Sequence, residues 1–447
     1  MKQVLIIGAG RSTIFLIEYL LNWAKENKAE IHVVDQNVEL AQRAVNQSPN
    51  GKASKVDALD PEQRRAVLKN ADLVVSMLPA HLHKDIVADC IAAKIPVITP
   101  SYLSKEIGEM HQAALDADVL VLNELGVDPG IDHMSAMEFL DKKREDGATF
   151  SGFESFTGGL IAPESDNNAW NYKFTWNPRN VVLAGQGGAV KFIQEGSYKY
   201  IPYHKLFRRT EVIDIPGYGK FEGYANRDSL KYRETYRLEG IPTIFRGTLR
   251  KKGFCKAWDM FVQLGATDDT YVLEGSENMT YREFINSFLA YNPHDSVELK
   301  FKHYLNLRQD DDDLWEKFES LNMFSNKKIG IKNATPAMAL QKILEDTWTL
   351  DPSDKDMIVM WHKFNYQLKG KNYETQSSMV VIGENQSKTA MAKTVGLPLA
   401  IAAKFVLEGK FQLKGVRLPI HSEIYQPILE ELEQCGVHFT ESTNQIA

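Results

Sequence analysis

The stretch Val4-Leu5-Ile6-Ile7-Gly8-Ala9-Gly10-Arg11-Ser12-Thr13 decides how the first third of this chain is read. Four apolar residues in a row suit a strand buried on both faces, and the glycines end it in a tight turn. Gly8 permits the turn. Gly10 lets the backbone approach a pyrophosphate, which the N–H groups and dipole of a following helix favour. Thr13 stands where the third glycine of a dinucleotide fingerprint usually lies. A helix follows through Phe15, Leu16, Ile17, Leu20, Leu21 and Trp23, then a strand over residues 31–34 that ends in Asp35. An acid about twenty residues past the loop accepts hydrogen bonds from the adenosine ribose and repels a 2′-phosphate, so Asp35 argues for NAD over NADP. A plain glycine turn with an incidental aspartate would not require this order of strand, loop, helix, strand and acid.

Working outward, the alternation continues. Residues 53–57 mark a third strand, with Asp57 either meeting an adenine edge or simply exposed in its loop. Residues 71–79 carry a fourth, whose end at Ser76, Met77 and Leu78 is where such domains abut ribose and pyrophosphate. Residues 95–99 give a fifth, with Thr99, Ser101 and Tyr102 at its carboxyl end, and residues 119–122 a sixth. Repeated βα units at this spacing predict an α/β, doubly wound parallel sheet of the Rossmann type. His81 and His83 stand two apart with no cysteine or acid cluster near. They make a poor metal site and read as surface or supporting residues, and no metal centre is expected.

The sixth strand runs into Asn123-Glu124-Leu125-Gly126-Val127-Asp128-Pro129-Gly130-Ile131-Asp132-His133, followed by a helical pattern over residues 134–140. Pro129 and Gly130 break the backbone between two carboxylates. This is a strand-to-helix elbow presenting polar groups at the sheet's carboxyl edge, where open α/β sheets bind ligands.

Beyond residue 150 the texture changes. Residues 150–157 alternate like a strand, residues 190–193 and 197–201 form a strand pair, and residues 357–368 and 373–382 a second hairpin. These predict a mixed or antiparallel sheet with one face covered and one free. Between them, residues 257–264, 281–289, 314–321 and 336–343 read as helices, a helical insertion in an α+β domain. The acidic run 310–313 reads as a solvated helix start, since calcium-loop spacing is absent. Residues 390–403 are a helix rich in small residues, suited to close packing. The expected organisation is a dinucleotide domain over 1–131 completed by 387–410, a sheet domain over 132–252 and 351–386, the insertion over 253–350, and a terminal segment over 411–447. A cleft between the two main domains would be lined by Ser101, Tyr102 and Asp128. Gly158-Gly159, the run 171–176, Arg227, Arg246 and Arg250 are its other candidate walls. Arginines set among glycine and threonine suit bidentate binding of carboxylates, although surface pairing is the commoner fate of any one arginine.

Composition agrees. The 447 residues are 43% hydrophobic and 25% charged, an ordinary globular balance, and the net charge of -7 argues against nucleic acid or an anionic membrane as partner. Three scattered cysteines suit a reducing, cytoplasmic setting without a disulfide framework. The longest apolar helix candidate, residues 395–407, is short for a bilayer and contains Lys404.

The elbow 123–133, the run 99–102, Gly158-Gly159-Leu160 with residues 162–164, and the run 172–176 carry a resemblance. So do the runs 226–229, 246–250 and 394–398. Together, across nearly the whole chain, they resemble the glutamate-forming saccharopine dehydrogenases, also called saccharopine reductases. The resemblance implies a Rossmann domain and a mixed-sheet α+β substrate and dimerisation domain with a helical insertion. It implies a homodimer acting on small amino-acid substrates: glutamate condenses reversibly with 2-aminoadipate semialdehyde, and the imine is reduced to saccharopine. By the same resemblance, Ser101, Tyr102, Asp128, Arg227, Arg246, Gly247 and Thr248 contact saccharopine, with Arg250 a further carboxylate candidate. Asp128 and Tyr102 steer protons, with Lys173 a weaker choice. The dinucleotide would meet Gly8, Gly10, Arg11, Ser12, Asp35, Asp57, Ser76, Leu78, Thr99, Leu125, Val127 and Thr175. Two departures stand out. Fungal members have a cysteine where this chain has Thr157, so a thiol is not needed for chemistry here. They also carry an arginine-bearing strand end that suits NADP where this chain has Asp35. Rival readings are an imine reductase of the polyamine type, whose cleft would favour acids over arginines, and a non-catalytic dinucleotide sensor.

Overall fold

The computed structural model describes residues 1–308 and 311–446. Strands are numbered β1 to β16 in chain order. The first sheet takes β1 (Lys2–Ile7), β2 (Ala29–Asp35), β3 (Gly51–Lys55), β4 (Leu73–Ser76), β5 (Val97–Ile98) and β6 (Leu120–Leu122), all parallel. A seventh strand, β15 (Gly415–Arg417), joins β6 in parallel from near the end of the chain, giving the order β15-β6-β5-β4-β1-β2-β3. The chain runs outward one way from β1 through β3 and the other way from β4 through β6. The switch point therefore lies between the carboxyl ends of β1 and β4, at Gly8 and Ser76, the place where such sheets bind ligands. The expected Rossmann sheet is present, with β15 the strand that sequence reading did not find.

The continuous apolar runs of β1, β2 and β4 are fully buried, as strands covered by helices on both faces must be. One covering helix, Ala390–Leu407, corrects an expectation. It is 18 residues long, enough to cross a membrane by length and composition, so shortness is no argument against a span. It is instead 67% buried inside the protein. Its small residues explain where it sits: a Cβ at Gly396 would stand 2.9 Å from the Leu16 amide nitrogen and 3.3 Å from the Ser12 carbonyl oxygen.

The second sheet has nine strands, of which seven run β10-β11-β12-β7-β13-β14-β16. They are β7 (Thr149–Ile161), β10 (Thr210–Ile215), β11 (Gly219–Ala225), β12 (Thr243–Lys251), β13 (Asp356–Leu368), β14 (Lys371–Ile382) and β16 (Thr440–Ile446). The hairpin β8 (Val190–Gln194) and β9 (Ser197–Ile201) attaches through β12. β12 is parallel to β7 and antiparallel to β11, so the sheet is mixed. The expectation of one free face fails at its centre: β13 is buried at every residue from Asp356 to His362. Helices at Phe254–Leu264, Asp312–Ser320 and Pro336–Trp348 dock through an aromatic cluster in which Trp170 stacks on Phe261 and meets Phe254, Phe318 and Trp348 edge-on. Of the acidic run expected at a helix start, Asp311 stands at the N-cap and Asp312 and Asp313 open the helix Asp312–Ser320, while Asp310 lies outside the described residues.

Two compact units result. The first holds residues 1–149, 368–371 and 379–440, and the second holds 150–367, 372–378 and 441–447.

Candidate active site

The glycine loop of the first unit is built for a dinucleotide. Gly8 has φ +104°, its N–H donates to the Val34 carbonyl at 2.8 Å, and a Cβ there would stand 3.0 Å from the Met77 carbonyl oxygen. At Gly10 a Cβ would meet nothing within 4 Å, so the loop leaves open space where a pyrophosphate must approach. Thr13, in place of a third glycine, is buried and donates its hydroxyl hydrogen to the Gly10 carbonyl at 2.7 Å. Asp35 ends β2 half-buried. Its Oδ2 accepts from the Ala9 amide and its Oδ1 from the Asn37 amide, each at 2.8 Å, which fixes the carboxylate beside the loop. Arg11 is exposed, and Ser12 and Leu78 are half-buried. Asp57 caps its own turn, accepting from the Leu59 amide at 2.9 Å. These residues fit a nicotinamide dinucleotide: an uncovered glycine, amides at a helix entrance, and a carboxylate fixed beside the loop.

The elbow closes on itself. Gly126 N–H donates to the Pro129 carbonyl at 2.8 Å and Ile131 N–H to the Gly126 carbonyl at 3.0 Å, launching the helix Ile131–Glu145. Asp132 accepts from the Gly130 amide at 2.6 Å. Buried His133 holds Glu124 at 2.7 Å, and the other Glu124 oxygen accepts from the Leu103 amide at 2.8 Å. Further backbone bonds tie Glu124 to Ser101 and Leu125 to Thr99. The loop after β5 and the elbow after β6 are thus one braced structure. Within it the Tyr102 hydroxyl donates to Asp128 Oδ1 at 2.8 Å, bringing together the two residues singled out for proton handling. Leu125 and Val127 are buried beside them. Asn123 is wholly buried, and neither end of its amide has a hydrogen-bond partner among the described residues. A buried amide in that condition is costly unless a ligand or water meets it.

His83 takes the supporting alternative and not the surface one. It is 1% exposed, with Nδ1 2.9 Å from Ser76 Oγ and Nε2 2.8 Å from Ser101 Oγ and 3.0 Å from Thr99 Oγ1. Burial, with the charge of His81 adding, lowers its pKa to about 4. The ring is neutral at pH 7. His81 is exposed, as expected.

In the second unit β12 carries the arginines. Side chains alternate along a strand, so Arg246, Thr248 and Arg250 share one face, and the two arginines are about 13 Å apart along it. Register places Tyr224 of β11 and Thr157 of β7 in the same row as Thr248. Arg246 is buried with its guanidinium 3.9 Å from the Tyr232 ring centroid. Arg250 is 4% exposed among the rings of Tyr172 (5.1 Å), Tyr224 (5.8 Å) and Phe254 (5.3 Å). Its one hydrogen bond among the described residues is to the Leu249 carbonyl at 2.9 Å, and no acid of theirs pairs with it. Gly247 belongs to the opposite face, where a Cβ would stand 2.2 Å from the Phe156 ring, so its smallness serves packing. Arg227 is exposed, with φ +53°, and its carbonyl accepts from the Lys191 amide at 3.1 Å. The hydroxyls of Thr157 and Thr175 are buried with no partner among the described residues.

Lys173 is buried between two carboxylates. Its ammonium lies 2.5 Å from Asp354 and 3.2 Å from Asp351. Burial works to lower its pKa, but the hydrogen bonds to Asp354 and Asp351 outweigh burial and raise it, which unsuits it to proton transfer at neutral pH. A cavity of about 210 Å³ near Phe207, Glu222 and Cys255 contains none of the candidate residues. Its charges are spent locally, Arg208 on Asp259 and Glu222 on the amides of Gly253 and Cys255.

Known proteins share this fold. Residues 4–122 match the family model for the saccharopine dehydrogenase NADP binding domain, and residues 126–437 that for the saccharopine dehydrogenase C-terminal domain. The mitochondrial alpha-aminoadipic semialdehyde synthase of Bos taurus is 35% identical over 98% of this chain and 47% of its own length. The chain therefore spans about half the length of such mammalian relatives. Saccharopine dehydrogenase [NADP(+), L-glutamate-forming] of Saccharomyces cerevisiae is 32% identical over 99% of both chains. The solved apo structure of the L-Glu-forming saccharopine dehydrogenase from that yeast superposes with a TM-score of 0.90, at 30% identity, over 99% of this chain and 100% of that one. With both halves of the fold matched in order and the likeness running end to end, the chain belongs to the saccharopine dehydrogenase family.

Proposed function

We propose that the protein is a nicotinamide-dinucleotide-dependent oxidoreductase acting on a CH–NH bond. It condenses L-glutamate with 2-aminoadipate 6-semialdehyde and reduces the imine to L-saccharopine, or runs the reverse. The observation that carries the reading is the Tyr102–Asp128 pair, held at the carboxyl edge of a dinucleotide-binding sheet by the braced elbow. The names of the full-length yeast relatives support it. The bound dinucleotide supplies or accepts the hydride.

The chain's own residues do the rest. Saccharopine's secondary amine must lose a proton when oxidised, and hydrolysis of the imine then needs a proton delivered to the departing amine. Asp128 takes and returns that proton, with the Tyr102 phenol fixing its orientation. In the first unit, Ser101 is a further substrate contact. In the second, Arg227, Arg246, Thr248 and Arg250 provide cations and a hydroxyl for carboxylates, and Gly247 offers its backbone. The dinucleotide residues are Gly8, Gly10, Arg11, Ser12, Asp35, Asp57, Ser76, Leu78, Thr99, Leu125, Val127 and Thr175. Asp35 favours NAD, because a fixed carboxylate repels a 2′-phosphate. The fungal relatives, by contrast, are named for NADP(+). A homodimer in the cytoplasm completes the reading, the latter supported by three unpaired cysteines.

The test is initial-rate oxidation of NADH and NADPH with glutamate plus the semialdehyde, and saccharopine oxidation in reverse. Turnover favouring NADH supports both parts. Turnover with NADPH alone keeps the reaction and removes the Asp35 argument. Tight dinucleotide binding without turnover removes the reaction and favours the polyamine-type or sensor reading.

A further inference from the structure

We infer that His83 is a positioning residue whose two ring nitrogens hold the Ser76 and Ser101 hydroxyls, and so set which way Ser101 presents its hydrogen to the substrate. The inference rests on the proposed contacts of Ser101 with substrate and Ser76 with dinucleotide. β4 and β5 are parallel neighbours. Ser76 closes β4, Ser101 follows β5, and His83 opens the helix His83–Ala93 that connects them. One imidazole therefore staples two adjacent carboxyl edges, at 2.9 Å on Nδ1 and 2.8 Å on Nε2.

A neutral imidazole has one N–H and one lone pair. The two serines consequently cannot play the same part toward it. With the hydrogen on Nε2, Ser101 accepts from the ring and points its own hydrogen outward, while Ser76 donates to Nδ1 and turns its lone pairs outward. Substrate carboxylates need donors and ribose hydroxyls need acceptors, so this tautomer serves both ligands at once. The opposite tautomer would aim lone pairs at the carboxylates. Thr99, 3.0 Å from Nε2, is a second hydroxyl on the same side. Burial and the neighbouring charge of His81 keep the ring neutral, so the arrangement persists across neutral pH.

The full-length variants His83→Gln and His83→Asn separate the two bonds, since a glutamine amide reaches the Nε2 position and an asparagine amide the Nδ1 position. His83→Gln should keep the KM for saccharopine within about threefold and weaken dinucleotide binding about tenfold, the size of one lost hydrogen bond. His83→Asn should do the reverse. Equal losses in both variants, confined to melting temperature and active fraction with KM and Kd unchanged, would make His83 merely structural and overturn the inference. If either variant does not fold, the 15N shifts of the wild-type ring decide. An Nε2–H tautomer from pH 5.5 to 8 supports the inference, and an Nδ1–H or protonated ring in that range overturns it. Absence of saccharopine turnover in the wild type would remove the proposed reaction. The contrast in dinucleotide affinity between the two variants would still decide the role of His83.

Discussion

The Tyr102 phenol donates its hydrogen to Asp128 Oδ1 at 2.8 Å, joining the loop after β5 to the elbow after β6. A carboxylate that accepts a phenolic hydrogen is held in one orientation. Asp128→Asn keeps the shape and removes the base. It should lower kcat/KM for saccharopine by about 10²–10⁴-fold, the usual worth of general acid–base catalysis, and leave dinucleotide affinity within about threefold. Tyr102→Phe should cost less, about 10-fold to 10²-fold, since it removes orientation alone. Steady-state rates with a fluorescence titration of the dinucleotide check both. An Asp128→Asn enzyme within threefold of wild type would remove Asp128 from the chemistry.

Two glycines should respond in opposite ways to alanine. At Gly130, φ is +147° and a Cβ would stand 2.1 Å from the Gly126 carbonyl oxygen, backbone that cannot retreat without opening the elbow. Gly130→Ala should cost more than about 3 kcal/mol in urea unfolding, combining φ strain with overpacking. At Gly10 a Cβ meets nothing within 4 Å. Gly10→Ala should therefore leave stability within about 1 kcal/mol, as expected where no contact is disturbed. It should also weaken dinucleotide binding at least tenfold, because the methyl fills space the pyrophosphate needs. A Gly10→Ala protein that binds the dinucleotide normally would rule out that placement.

The parallel sheet was legible because β1, β2 and β4 each carry a short buried apolar run followed by a turn and a helix. β15 was not: Gly415–Arg417 is three residues long, and only tertiary pairing with β6 makes it a strand. β10 and β11 are interrupted by glycine and charge, and Val212 is 70% exposed, so period-two alternation is weak there. β12 hides its strand character because the face carrying Arg246 and Arg250 is buried although charged, the reverse of what hydrophobic patterning assumes. That Asp128 and Tyr102 stand at carboxyl strand ends could be read from the breaks around them. His83 could not, for its partners lie 7 and 18 residues away and no spacing rule links one histidine to two serines.

Arg250 tests whether a buried cation awaits a ligand. A guanidinium surrounded by aromatic rings, with no acid among the described residues to neutralise it, contributes little to folding and pays for desolvation. Replacing a buried ion by an apolar side chain of similar reach is often neutral or stabilising. Arg250→Met should hold or raise the melting temperature while raising the KM for saccharopine at least tenfold. A fall of several degrees with unchanged KM would instead assign Arg250 to the core.

Asp35 is open to a direct selectivity test. Its two oxygens are fixed by the Ala9 and Asn37 amides, which leaves the carboxylate little freedom to turn. Asp35→Ser removes the charge and retains a small acceptor. The ratio of kcat/KM with NADPH to that with NADH should rise at least tenfold, about 1.4 kcal/mol of removed repulsion. An unchanged ratio would mean that Asp35 braces the glycine loop and does not select the cofactor.

Burial of His83 also predicts how stability depends on pH. Its pKa falls from 6.5 in the unfolded chain to about 4 in the folded protein, because the ring is desolvated and the facing groups are the neutral hydroxyls of Ser76, Thr99 and Ser101, with His81 the nearby charge. Between these values the unfolded state binds more protons than the folded one, so folding stability rises with pH across the window. The contribution is whole above pH 6.5, declines as the pH falls, and is gone below about 4, where both states are protonated. At 1.36 kcal/mol per unit it is on the order of 3 kcal/mol. Urea unfolding from pH 4 to 8 should show this slope in the wild type and a flatter one in His83→Asn, which has nothing to titrate there. Equal slopes in the two proteins would mean that other groups dominate acid destabilisation and that His83 is solvated enough to carry its charge when folded.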